Sequence, residues 1–77
     1  MQHDTHSFIV VATGLDWHSG DLESRFYDAG CDDAGVSVVR GEILVDFARE
    51  APSLDEAIES ALRDVARAGA TVVRIHR

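Results

Sequence analysis

Four histidines, one cysteine and a run of carboxylates are the side chains of this 77-residue sequence whose types could do chemistry. His3 and His6 have the spacing of a metal-binding pair, with His18 close behind. A structural zinc site needs four thiolate or imidazole ligands in a fixed cage. Cys31 is the only thiol, so no metal is expected and the histidines read as solvated. Cys31 follows Gly30 and precedes Asp32 and Asp33. Adjacent carboxylates raise a thiol pKa and so disfavour the thiolate, and Cys31 therefore reads as a small half-buried residue at a helix end. The sequence contains no phosphate loop, nucleophile elbow or Ser/His/Asp pattern. Neither an enzyme nor a cofactor is expected.

The carboxylates Asp16, Asp21, Glu23, Asp28, Asp32 and Asp33 gather around one predicted helix. They lack the spacing of a calcium loop. Two readings stay open for them: a solvated acidic surface, and a partner-binding cluster that imitates a phosphate backbone and competes for a basic groove. The charge is lopsided. Residues 1–33 hold seven acids against Arg25 alone, and the whole chain carries −7 with no lysine. Nucleic-acid binders need a basic footprint, so direct phosphate binding is disfavoured by long-range repulsion. A basic protein surface is the natural partner. An Arg-only, Ala/Val/Asp/Gly-rich composition suggests a GC-rich bacterial genome.

The elements that must position these groups follow from periodicity. One domain over residues 1–77 is expected, with residues 1–6 a mobile polar lead-in. Ser7 to Thr13 reads as a strand with Phe8, Val10 and Ala12 on one face and Ile9 and Val11 on the other. Residues 20–29 read as a helix, with Leu22, Phe26 and Ala29 as its stripe, Ser19 or Asp21 as cap and Gly30 beyond its end. Val36 to Val39 and Glu42 to Arg49 form a hairpin around Arg40-Gly41. Ser53-Leu54-Asp55-Glu56 is a capping box, and Leu54, Ile58, Ala61, Leu62 and Val65 then trace one helical face up to Gly69. Ala70 to His76 is a last strand, with Val73 and Ile75 inward. The order βαββαβ predicts an α+β, ferredoxin-like sandwich: a four-stranded antiparallel sheet with both helices on one face and the first and third strands in the middle.

Helices on one face leave the other sheet face to be explained. With Val45 and Phe47 toward the helices, the open face is expected to carry Phe8, Val10, Glu42, Leu44, Asp46, Val72 and Arg74, joined by Ala12 and His76. An apolar centre inside a polar rim marks a contact surface. The occupant would be a second copy packed sheet to sheet, since so small a domain buries little of its surface alone, or a different protein.

Arg40-Gly41-Glu42-Ile43-Leu44-Val45-Asp46-Phe47 resembles the central RNA-binding strand of an RRM. Arg40, Gly41, Val45 and Phe47 fit, and Phe8 fits the aromatic of the first strand. Glu42 and Leu44 stand where the family stacks bases on aromatics, so the binding chemistry is missing and only a degenerate nucleic-acid binder is implied.

A second resemblance covers residues 8–76. At Ala29-Gly30-Cys31-Asp32-Asp33-Ala34, Leu44-Val45-Asp46-Phe47-Ala48-Arg49-Glu50-Ala51 and Ser53-Leu54-Asp55-Glu56-Ala57-Ile58-Glu59-Ser60-Ala61 the chain is similar to the N-terminal domain of small bacterial helix-turn-helix regulators. The sequence ends at Arg77 without the DNA-reading segment, so the resemblance implies the sensing or assembly half. Small acidic stand-alone proteins of this kind act as antitoxins, immunity proteins or inhibitors of defence nucleoproteins such as CRISPR complexes.

The expectation is thus a non-catalytic acidic regulator docking on a basic protein or nucleoprotein, with a homodimer as an open option. The alternative is an ACT-like small-molecule sensor with its ligand near Gly14 to Gly20, where Trp17 would report binding. No apolar run reaches the length of a membrane span, no signal peptide opens the sequence, and a lone cysteine suits a reducing compartment. A cytoplasmic protein is expected.

Overall fold

The computed structural model describes residues 4–16, 18 and 20–77; His3, Trp17 and Ser19, singled out above, lie outside them. Six elements follow in order: β1 (Asp4–Thr13), α1 (Leu22–Asp28), β2 (Ala34–Val39), β3 (Glu42–Ala51), α2 (Leu54–Arg67) and β4 (Thr71–His76). The sheet is antiparallel in the order β2-β3-β1-β4. This is the ferredoxin-like arrangement, with β1 and β3 central and both helices against one face.

α2 forms where its sequence says. The Ser53 hydroxyl accepts from the Glu56 amide at 3.2 Å, and Asp55 and Glu56 sit at the positive end of the helix dipole, Arg67 at the negative end. Ala57 and Ala61 are fully buried and let the helix lie close on the sheet. α1 is shorter than its stripe suggests. Asp21 occupies its N-cap position without a side-chain cap bond, and the helix spans seven residues rather than 20–29. The β2–β3 turn is two residues long, between Val39 and Glu42. Arg40 (φ 53°) and Gly41 (φ 79°) both take positive φ, the type I′ geometry that matches strand twist.

Register sets which residues face the helices, and here two expectations are corrected. Directly opposed residues of an antiparallel pair share a face. Phe8 opposes Phe47, Val10 opposes Val45 and Ala12 opposes Ile43, so these six side chains all lie in the core with Phe26 and Val65. The Phe8 and Phe47 rings stack at 5.3 Å. Phe8, Val10 and Ala12 are therefore not on the open face; Ile9 and Val11 take that place. In β4 the register shifts between Val11 and Ala12: Arg74 opposes Val11, but Val72 opposes Ala12. The bulge leaves Val73 as the extra residue, half-exposed, and turns Val72 inward beside Ile75 against the core. Val72 thus leaves the open face and Val73 leaves the core.

The start of the chain is also corrected. Asp4, Thr5 and His6 pair with Ala51, Glu50 and Arg49 as part of β1, and His6 Nε2 donates to the Ala51 carbonyl at 3.2 Å. Among the described residues, no helix is long and apolar enough to cross a membrane.

Candidate functional site

Of the residues expected on the open face, Glu42, Leu44, Asp46 and Arg74 are there. Their arrangement is not that of a bare apolar platform. Arg74 on β4 reaches across β1 to Glu42 on β3 and donates two hydrogen bonds of 2.9 Å, one to each carboxylate oxygen. Its Nε also donates to His76 Nε2 at 3.2 Å. Because β1 lies between β3 and β4, this pair bridges the strand above Val11, which is only 1% exposed although it faces away from the helices. The Arg74 hydrogen bond holds the Glu42 carboxyl below its ordinary pKa and raises the Arg74 pKa in turn. Leu44 is half-buried and Asp46 exposed. Phe8, the one aromatic that could have stacked a base, is in the core.

The acidic cluster divides. Asp33 belongs to an ion network that the sequence reading did not find. Arg49 follows Phe47 by two on β3, so it points toward the helices, and it is 8% exposed. Its Nε and Nη2 hold both Asp33 oxygens at 2.9 and 3.0 Å. Nη1 donates to Ser60 Oγ at 3.1 Å and Asp64 Oδ2 at 2.9 Å, and Nη2 also donates to the Gly30 carbonyl at 2.9 Å. The guanidinium lies 4.8 Å from the Phe47 ring centroid. All five donors of the fork are used. A depression of about 590 Å³ opens over this network, but Arg49 has no donor left for an anion. The network ties the α1–β2 turn, β3 and α2 together; it is architecture. An arginine at an inward phase of an otherwise apolar strand was the signal that could have revealed it.

The remaining members, Asp16, Asp21, Glu23, Asp28 and Asp32, are exposed. Asp16 accepts from the His18 amide at 2.9 Å, and Asp21 sits 4.0 Å from Arg25 in a solvent-exposed pair, an interaction that contributes little. Glu23, Asp28 and Asp32 carry no hydrogen bond or ion pair among the described residues. Between Glu23 and Asp28 in the chain stands Tyr27, 65% exposed, the most exposed large hydrophobic side chain among the described residues. It falls off the Leu22/Phe26 stripe and so projects from α1. A groove of about 170 Å³ runs beneath it, lined by Glu23, Tyr27, Cys31, Ala34, Gly35 and Val36.

Cys31 is buried in the core. Burial above all, then the Asp64 carboxylate, pushes its thiol up to about 11. The neighbours Asp32 and Asp33 act in the expected direction but are lesser causes. A thiol so protonated and enclosed is no nucleophile at neutral pH. Among the described residues, no three His, Cys, Asp or Glu side chains come together as a metal site. No protein-family model matches the chain, and no curated protein or solved structure matches it at a significant level.

Proposed function

We propose that this domain is a non-catalytic regulator that works by binding a basic surface of a partner protein or nucleoprotein, as an antitoxin, immunity protein or inhibitor of a defence complex would. One observation carries the reading. Glu23 shares a groove with the exposed ring of Tyr27, and Asp28 and Asp32, also exposed and without side-chain partners among the described residues, follow it within five residues of the chain. A tyrosine gives a rigid contact of large area at little entropic cost, and charged groups around it steer encounter and select sign. The buried, protonated thiol of Cys31 is withdrawn from chemistry and Arg49 has no donor left for an anion, which favours binding as the reading. The emphasis moves from the open sheet face, whose centre is spanned by the Arg74–Glu42 pair, to α1 and the strand beside it.

The test is charge reversal at exposed positions. The immobilised domain should retain basic proteins from a bacterial extract at low salt and release them by about 0.5 M, where screening reaches within a few ångströms. The triple variant Glu23→Lys, Asp28→Lys, Asp32→Lys should retain none of them. An unchanged set of retained proteins on that variant would sink the reading.

A further inference from the structure

We infer that the outer edge of β2 is a strand-addition site for an extended basic segment of a partner protein. The inference rests on the proposed docking function and specifies its mode.

Among the described residues, β2 ends the sheet and pairs only with β3. The two-residue turn makes Val39 and Glu42 a hydrogen-bonded pair, and hydrogen-bonded and open pairs then alternate along the ladder. Asp33 accepts from the Ala48 amide at 3.1 Å, which fixes the same phase at the far end. The odd-numbered residues of β2 thus bond to β3. Ala34, Val36 and Val38 turn their amides and carbonyls outward, six backbone groups in a row.

Exposed edges are normally blunted by charge, proline or a bulge. The other edge, β4, carries Arg74 and has a bulge in its pairing. β2 reads Ala-Gly-Val-Ser-Val-Val, without a charge or proline, and pairs in unbroken register. A strand added here would send alternate side chains toward α1. One of them would drop into the groove between Tyr27, Glu23 and Val36. A lysine or arginine suits that groove: its stem lies on Val36, its charge meets the Tyr27 ring and the Glu23 carboxylate.

Charge also selects the occupant. The unpaired groups near the edge are Glu23 in the groove, Asp32 two residues before β2 and Asp46 opposite Gly35, against Arg40 in the turn, a net of −2 (one cation minus three anions). A second copy would set this surface against itself. A basic segment is attracted, and main-chain pairing supplies affinity while alternate side chains supply specificity.

The probe is a capped alternating arginine–valine heptapeptide, with its glutamate–valine counterpart as control, added to the whole chain and followed by amide hydrogen exchange. The basic peptide should slow exchange at Ala34, Val36 and Val38 by at least about tenfold. Gly35, Ser37 and Val39, already bonded to β3, should stay as they were. Val36→Pro removes an outward amide without touching the β3 ladder and should weaken binding at least about tenfold, or about 1.4 kcal/mol. If that variant unfolds, the exposed pair Glu23→Gln and Tyr27→Ala should weaken binding with the fold intact. Binding that leaves the three outward amides unprotected overturns strand addition while the docking function stands. Equal binding of both peptides overturns the basic partner. No binding at about 1 mM, a 4 kcal/mol threshold, overturns the inference, and the charge-reversal experiment then judges the docking function by itself. Protection that appears without peptide and grows with protein concentration shows a second copy on the edge and overturns the partner assignment.

Discussion

Replacing Arg49 by methionine tests whether the ion network holds the fold together. Methionine keeps an apolar side chain of similar reach and removes the guanidinium, with its contact on the Phe47 ring. The Asp33 and Asp64 carboxylates, 31% and 17% exposed, then lose the Arg49 charge, which leaves Asp64 the exposed Arg67 at 3.9 Å, and the Gly30 carbonyl loses its donor. Removing one partner of a fully buried pair costs about 3–5 kcal/mol. Partial exposure lets water reach both carboxylates here, which lowers the expected loss to about 2–4 kcal/mol. A chain of this length has a total stability of about 4–12 kcal/mol at roughly 0.05–0.15 kcal/mol per residue. The variant should therefore melt roughly 12–24 °C lower for a loss of about 3 kcal/mol. Thermal and urea unfolding followed by far-UV circular dichroism measure this. A double-mutant cycle with Asp33→Asn should return a coupling of about 1–3 kcal/mol, because Asp33 takes two of the five hydrogen bonds. An Arg49→Met protein within about 0.5 kcal/mol of the parent, the range of ordinary surface changes, would refute the reasoning and make the network decorative.

Four other outcomes are expected. Arg40→Asn should stabilise by about 0.5–1 kcal/mol, since Arg40 sits at φ 53° in a turn that favours Asn-Gly; a loss of stability would contradict the turn assignment. Ser53→Ala should cost about 1 kcal/mol through the lost cap, read as a lower urea midpoint. The raised Cys31 pKa means that the fold favours the neutral thiol, so the stability it contributes is complete below pH 9.0 and is lost as pH rises toward about 11. Cys31→Ala should lack that alkaline slope, and a thiol reagent at pH 8 should label the parent only as it unfolds. The Glu42 pKa is held below 4.5, so its contribution is present above that value and fades as pH falls through the lowered one. The gap in melting temperature between the parent and Glu42→Gln should narrow as pH falls below the ordinary glutamate range and close once the carboxylate is protonated, and a gap that persists there would mean that the carboxylate charge is not what stabilises the pair.

Much of this architecture could be read from residue order because local signals agreed with one another. The Ser53 cap starts α2, Arg40-Gly41 turns the hairpin, and the alternation of Ile43, Val45 and Phe47 phases β3. β1 offered no such phase. With Phe8, Ile9, Val10, Val11 and Ala12 all apolar, either face could have been the inner one, and only the pairing of Phe8 with Phe47 decides it. The bulge that turns Val72 inward leaves no mark in a run of two valines. Asp33 looked like one more surface acid because its partner, Arg49, lies 16 residues away on β3. Of the six acids read as one cluster, the structure commits Asp33 to architecture, and it adds Tyr27, whose departure from the apolar stripe of α1 was visible but not used.

A thin two-sided domain poses the question of what covers the second face of its sheet. Here the chain covers the centre of it. The Arg74–Glu42 pair spans β1, and Val11 is buried without a second layer. Cation stems laid over apolar surface serve this purpose where no helix is available. What the chain does not satisfy is the edge of β2, where the outward backbone groups of Ala34, Val36 and Val38 meet solvent beside an exposed tyrosine and three free carboxylates. In water those groups are solvated and cost nothing, so the edge does not threaten the fold. Their alignment is useful only to a chain that can pair with them, and the carboxylates repel an acidic one. On the proposed reading, the charge imbalance that disfavours phosphate also disfavours a second copy at this edge and favours a basic strand.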